Sequence, residues 1–205
     1  MIDLDGTISD PSLGITRCVN HALESHGLAS VSAALVANEI GPPLDEMFLK
    51  LVPGLTASAI PKLVYSYRGR YSDVGYAENT IYPHIAEVLG NLNERRLRMG
   101  VCTSKRRDFA KRILALFGID HLFAFVDGGE IGITKEQQLA GLLDRRDIDR
   151  DAVMVGDRAV DIVAASKNGL RSIGVLWGFG SRNELSQASP MCIAESPNEL
   201  SELVI

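Results

Sequence analysis

Cysteine and long apolar runs are both scarce in this sequence. The chain has three cysteines in 205 residues, far apart and without a CxxC pair, which is typical of a reducing cytoplasm rather than of a disulfide framework. We expect Cys102 and Cys192, which lie in apolar runs, to be small buried side chains. No apolar run approaches the length of a membrane span, and no signal-peptide pattern is present. We therefore expect a cytoplasmic protein without a membrane partner.

A basic surface is also missing. The formal net charge is −5, and the lysines and arginines are scattered, so nucleic acid is not an expected partner. The short basic run at 105–107 indicates a solvated helix end, with a local phosphate-binding role as the alternative. The four histidines show no spacing typical of metal ligands, and we expect them at the surface or in packing.

The order of helical and strand patterns divides the chain. Residues 11–78 show only helical and turn patterns. The predicted helices span 13–26, Ser30 or Ser32 to Asn38, 44–51 and 60–71. In the last of these, Pro61 suggests that the helix starts late. After Pro83, helices alternate with short apolar strands at 98–104, 122–127, 152–155 and 171–176, and 191–194 is a possible edge strand. Such alternation predicts a parallel sheet covered on both faces. The predicted fold is α/β, with a Rossmann-like three-layer core formed by 1–10 and 79–205, and a small all-helical cap at 11–78 inserted after the first strand.

Polar residues gather where the predicted strands end. The first strand ends in Asp3-Leu4-Asp5-Gly6, which puts two carboxylates on one side of an extended chain. Further polar groups follow the later strands: Thr103-Ser104, Lys135, and Gly156-Asp157 with Asp161 four residues on. Ligands of open parallel sheets lie at these carboxyl ends. Each group alone has an ordinary structural explanation, as a turn, a strand-end hydroxyl or a solvated helix start, but their joint occurrence favours a site.

These residue types suit a phosphate held by a divalent ion. Asp3 and Asp157 can both reach one hard cation such as Mg²⁺, and Asp161 lies one helical turn beyond for a supporting or water-mediated role. Thr103 or Ser104 can donate to an oxyanion, and Lys135 can neutralise a further negative charge. One acid can then be a nucleophile and its neighbour a general acid/base.

The same residues resemble the haloacid dehalogenase superfamily of phosphotransferases, most of all its phosphoglycolate phosphatase-like branch with a small helical cap. The resemblance rests on four segments and on a further match at 174–185: Asp3-Leu-Asp5-Gly-Thr7, Val101-Cys-Thr103-Ser-Lys105, Lys135, and Gly156-Asp157-Arg-Ala-Val-Asp161.

The resemblance implies a Mg²⁺-dependent phosphatase acting on a small phosphorylated metabolite. In such an enzyme Asp3 attacks phosphorus, and Asp5 protonates the leaving oxygen and then activates water. Thr103, the Ser104 amide and Lys135 bind the phosphoryl group. The metal ligands implied are Asp3, the Asp5 carbonyl oxygen and Asp157, with Asp161 supporting, and the second acid excludes a dehalogenase.

Several alternatives remain open. A phosphomutase of the β-phosphoglucomutase type would use the same core residues. Only Met1 and Ile2 precede the nucleophile, so we expect either that the natural protein begins several apolar residues earlier or that this form is a weak or relic enzyme. Substrate choice is expected in the cap, with Arg17, the Gly41-Pro42-Pro43 loop and Lys50 as candidates and a purely structural role as their alternative. The expected state is a monomer or weak dimer.

Overall fold

The computed structural model describes residues 1–41, 44–130 and 132–203. The chain forms two compact units. One consists of Met1–Asp10 with Ile81–Ile205, and the other is the segment Pro11–Thr80. The assignment of the second unit as a cap stays a prediction.

Strands and helices alternate in the first unit, and helices dominate the second. The strands are β1 Ser9–Asp10, β2 Thr80–Ile81, β3 Gly100–Thr103, β4 Phe125–Gly128, β5 Val153–Gly156, β6 Arg171–Val175 and β7 Cys192–Ala194. The α-helices are α1 Ser12–Ser25, α2 Ala33–Asn38, α3 Leu44–Leu51, α4 Ile60–Asp73, α5 Ile85–Glu94, α6 Arg107–Leu116, α7 Lys135–Asp144, α8 Ala159–Lys167, α9 Arg182–Ala188 and α10 Leu200–Leu203. Short 3₁₀ turns lie at Gly75–Ala77, Asp120–Leu122 and Pro197–Glu199.

The main sheet is parallel, and the first residues of the chain lie at its centre. β3 pairs with β4, and β6 pairs with both β5 and β7. Ile2 forms parallel bridges to Val101 in β3 and to Val155 in β5, which joins the two halves. The resulting order is β4, β3, Ile2, β5, β6, β7. The predicted α/β class with a parallel sheet is therefore confirmed.

Apolar strands and helix faces form the core around this sheet. Every residue of β3 is buried, because a strand at the centre of a parallel sheet is covered on both faces. One buried cluster joins β3, α7, β5 and α8 through residues such as Cys102, Leu139, Met154 and Ala165. The expectation for Cys102 is correct, whereas Cys192 is only partly buried because β7 is an edge strand.

Within the described residues, the second unit is built from the helices α1 to α4. α1 buries a stripe that includes Ile15, Val19 and Leu23, at the spacing expected of one helix face. In α4, Tyr67 stacks on Tyr71 with ring centroids 5.6 Å apart. The expected late start of α4 is wrong: the helix begins at Ile60, because a proline in the first turn loses only an N–H that has no intrahelical partner there.

Candidate active site

The extended segment around Ile2, which lies at the centre of the sheet, ends at Asp3, the first acid of the site. The Asp3 N–H donates to the Val155 carbonyl at 2.9 Å, but the Leu4 carbonyl already accepts bonds from the N–H groups of Thr7, Ile8 and Ser9 at 2.9–3.3 Å. The chain therefore turns at Leu4, and the expectation of an extended strand through Asp5 is wrong. The turn places Gly6 at φ +83°, a conformation that glycine adopts without steric cost.

Three acids from different elements meet beside this turn. Asp3, Asp157 after β5 and Asp161 in α8 are all buried, and each offers a carboxylate oxygen within 4.8 Å of the others. Burial and the charges of Asp3 and Asp161 raise the pKa of Asp157 to about 7. Burial also raises the pKa of Asp161 to about 6, although Lys135 opposes that rise. Removing three carboxylates from water in one place is unfavourable unless a cation joins them.

Lys135 supplies one such cation. It is the first residue of α7, whose start is held by a reciprocal capping box between Thr134 and Gln137. The buried Nζ lies 3.0 Å from Asp3 Oδ1 and also bonds Asp161 Oδ1. Burial by itself lowers the pKa of Lys135, but the two carboxylates outweigh it and the net shift is upward.

The two oxygens of Asp161 both accept bonds from the protein. Oδ1 receives the Lys135 ammonium, and Oδ2 accepts the Arg158 N–H at 3.1 Å. This geometry suits the supporting role expected for Asp161.

A separate set of groups fixes Asp157. The Thr7 hydroxyl donates to Oδ1 at 3.2 Å, and the Phe179 N–H donates to Oδ2 at 2.8 Å. A Cβ at Gly6 or Gly178 would overlap this carboxylate, so both positions need glycine. Our sequence reasoning gave no role to the loop around Phe179. The available signal was the run Gly178-Phe-Gly180 directly after a strand, which permits close backbone approach.

Thr103 and Ser104 lie at the end of β3 as expected. The Thr103 side chain is buried, and its hydroxyl accepts the Lys105 N–H at 3.2 Å. Its carbonyl accepts a bond from Gln138 Nε2 at 3.1 Å. Ser104 is exposed. The Thr103 hydroxyl therefore bonds its own local backbone, as the structural alternative expected. Because it accepts in that bond, its proton is still available to donate to an oxyanion.

Asp5 has a partner that the sequence did not indicate. Lys105 Nζ lies 2.7 Å from Asp5 Oδ2, and the lysine side chain is 10% exposed. Burial raises the pKa of Asp5, while Lys105 opposes the rise. The sequence analysis placed Lys105 in a basic run and at the end of the segment 101–105, and neither pattern identifies the acid that the lysine faces.

The candidate substrate residues of the second unit form their own ion pairs. Arg17 Nη1 lies 2.7 Å from Glu78 Oε1, and Lys50 Nζ lies 2.8 Å from Glu39 Oε2. These pairs favour the structural alternative for both cations. Pro42 and Pro43 lie outside the described residues.

Comparison with known proteins identifies the class. The family model of haloacid dehalogenase-like hydrolases matches residues 1–175. The 5'-nucleotidase of Pseudomonas aeruginosa is 37% identical over 93% of this chain and 87% of its own. The phosphoglycolate phosphatase of Vibrio parahaemolyticus is 28% identical over 98% of this chain and 93% of its own.

A solved structure extends the likeness to three dimensions. Tyrosine-protein kinase PtkA of Mycobacterium tuberculosis is 33% identical over 96% of this chain and 68% of its own. Its structure superposes with a TM-score of 0.85 at 32% identity, covering 100% of this chain and 96% of that one. The chain belongs to the haloacid dehalogenase-like hydrolase family, as its motifs predicted, and it is a phosphatase of that family. None of the helices within the described residues is long and apolar enough to cross a membrane.

Proposed function

We propose that the protein is a Mg²⁺-dependent phosphomonoester hydrolase that works through a phosphorylated Asp3. The observation that carries the proposal is the cluster of Asp3, Asp157 and Asp161, whose carboxylate oxygens lie within 4.8 Å of one another beside the Lys135 ammonium. Buried acids at this density are costly for a fold alone, and they are the groups that phosphoryl transfer requires.

The donor set fits magnesium. Carboxylate and carbonyl oxygens are the ligands that Mg²⁺ prefers, and the three acids offer only oxygen. Asp3, Asp157 and the Asp5 carbonyl would hold the ion, with Asp161 in support. Bound there, it would supply positive charge to the phosphoryl oxygens.

The chain's own residues then divide the reaction into two halves. In the first, an Asp3 oxygen bonds to phosphorus while the bond from phosphorus to the leaving oxygen breaks, and Asp5 gives that oxygen its proton. In the second, Asp5 takes a proton from water, which attacks the phosphorylated aspartate and releases phosphate and free Asp3. Lys135, Thr103 and the Ser104 amide would bind the phosphoryl oxygens.

The decisive experiment measures phosphate release from 4-nitrophenyl phosphate. Wild-type protein should release phosphate with Mg²⁺ and lose that activity in EDTA, and Asp3→Asn should abolish it. Asp127→Asn is the matched control, because Asp127 is also a buried acid at the end of a strand, within β4, but pairs with Arg107 and Arg145, each at 3.3 Å. Equal rates for wild type and Asp3→Asn would refute the assigned nucleophile.

The substrate proposed is a small phosphorylated metabolite in the cytoplasm, handled by a monomer or weak dimer. The relatives make nucleoside 5'-monophosphates and phosphoglycolate the first compounds to test, followed by sugar phosphates. Free phosphate as the product would separate hydrolysis from a mutase, which returns the phosphoryl group to a sugar.

A further inference from the structure

Lys105, which pairs with Asp5, has no part in the reaction described so far. The Nζ–Oδ2 distance of the pair is 2.7 Å, and the side chains are only 10% and 19% exposed. The pair of Lys167 and Glu136 has the same 2.7 Å distance, but there the side chains are 56% and 45% exposed. An exposed ion pair such as Lys167–Glu136 contributes little to stability. A largely buried ion pair such as Lys105–Asp5 is held in a single geometry.

The two oxygens of Asp5 differ in their surroundings. Oδ2 faces the Lys105 ammonium, while Oδ1 is buried without a hydrogen-bond partner among residues 1–41, 44–130 and 132–203. A buried carboxylate oxygen that lacks a donor is costly, and such groups are kept where a ligand completes them. The geometry leaves Oδ1 as the oxygen that meets the reacting atoms.

Lys105 is itself fixed by the phosphate-binding segment. Its N–H donates to the Thr103 hydroxyl at 3.2 Å, and its carbonyl accepts the Gly129 N–H at 2.8 Å. The backbone from which the lysine extends is therefore held at both its donor and its acceptor. A side chain anchored in this way can hold a partner carboxylate within the narrow range of angles that proton transfer requires.

We propose that Lys105 is a positioning residue for proton transfer to the leaving group. It holds Asp5 by Oδ2 so that Oδ1 points at the leaving oxygen of the phosphomonoester. The proposal rests on the proposed function, because it assumes that Asp5 is the acid of the first half-reaction. It assigns Lys105 no contact with the phosphate itself.

The test compares two phosphate esters that differ in how strongly their cleavage depends on protonation of the leaving oxygen. 4-Nitrophenyl phosphate releases a weakly basic oxygen, whereas phenyl phosphate has the same phosphoryl group and nearly the same shape but releases a more basic one. The quantity measured is kcat/KM, which covers only the steps up to departure of the leaving group. Because both rates come from one protein sample, their ratio does not depend on the fraction that is folded.

Lys105→Met should lower kcat/KM for phenyl phosphate about tenfold more than for 4-nitrophenyl phosphate, within the ~10²–10⁴-fold that general acid catalysis is worth. Lys105→Arg keeps the charge and should recover part of the selective loss. Lys167→Met removes an exposed lysine and should change neither rate.

Asp5→Asn separates failure of the inference from failure of the function. If Asp5→Asn discriminates between the esters and Lys105→Met lowers both rates equally, Lys105 binds phosphate or only supports the fold, and the inference is overturned while the function stands. If Asp5→Asn does not discriminate, the acid is misassigned and the inference falls with it. If Asp5→Asn cleaves neither ester, the ratio of the two kcat/KM values for Lys105→Met decides the inference by itself. If the wild type cleaves neither ester, the proposed function is overturned together with the inference.

Discussion

Replacing Asp157 by asparagine should make the metal-free protein more stable at neutral and alkaline pH. Asp157 is fully buried and has the negative charges of Asp3 and Asp161 beside it. Asparagine has the same shape, can still accept the Phe179 N–H and can donate to the Thr7 hydroxyl. The substitution therefore removes a buried charge without removing its hydrogen bonds.

The magnitude follows from the pKa of Asp157. Folding raises this pKa from 3.8 to about 7, so the folded protein binds the proton more tightly than the unfolded chain does. The free energy of unfolding must then fall as the pH rises from about 4 to about 7, and above that range the full penalty applies. A shift of this size corresponds to about 4 kcal/mol. Wild type and Asp157→Asn should have nearly equal stability at about pH 4, and the variant should be more stable by up to that amount at about pH 8.

Urea unfolding in EDTA at several pH values measures the difference directly. The other acids titrate in both proteins, so their contribution largely cancels in the comparison. Added Mg²⁺ should stabilise wild type and have much less effect on the variant. Asp127→Asn is the control, since that carboxylate faces two arginines and its replacement should bring no gain at pH 8. A variant less stable than wild type at pH 8, or a difference that does not change with pH, would refute the reasoning.

Two further substitutions test the surroundings of this cluster. Lys135→Met leaves the buried carboxylates of Asp3 and Asp161 without their cation, so it should lower the free energy of unfolding by about 3–5 kcal/mol. Urea unfolding at about pH 8 without Mg²⁺ measures this change, and an unchanged midpoint would contradict the two ion pairs. Gly6→Ala places a Cβ against the Asp157 carboxylate at φ +83°, so it should abolish phosphate release from 4-nitrophenyl phosphate. Gly27→Ala carries similar backbone strain of about 1–2 kcal/mol at φ +73° with open space around the new Cβ, and it should keep the activity.

The sequence predicted most of the fold because its strands and helices carry clear periodic patterns. α3 was predicted at its observed bounds, and β3 to β7 were each located to within a few residues. The short strands β1 and β2 escaped prediction, because two residues are too few to show alternation. The central position of Ile2 is visible only in three dimensions, where its bridges to β3 and β5 come from residues about 100 and 150 positions away.

The sequence predicted the candidate site residues that lie at the ends of strands. It did not predict which groups pair with them through hydrogen bonds and ion pairs. Asp3, Asp157 and Lys135 were found because each follows a recognisable element at the same edge of the sheet. The Phe179 N–H could not be found in this way, since a backbone donor has no residue type to mark it. Lys105 was seen as a charge, but only the structure shows that it faces Asp5.

The division of the two lysines among the four acids would allow one small site to hold two carboxylates with the different tasks proposed for Asp3 and Asp5. Lys135 lies against Asp3 and Asp161, so the nucleophile proposed at Asp3 faces a cation that also suits a phosphoryl group. Lys105 lies against Asp5 Oδ2, so the acid/base proposed at Asp5 is held separately, and within the described residues Asp5 Oδ1 has no hydrogen-bond partner. With all four acids ionised, these described side chains carry a net charge of −2, which a single divalent cation balances. The electrostatics of the folded chain therefore support both the proposed metal and the proposed separation of roles, and a change at either lysine should affect one half of that arrangement while leaving the other in place.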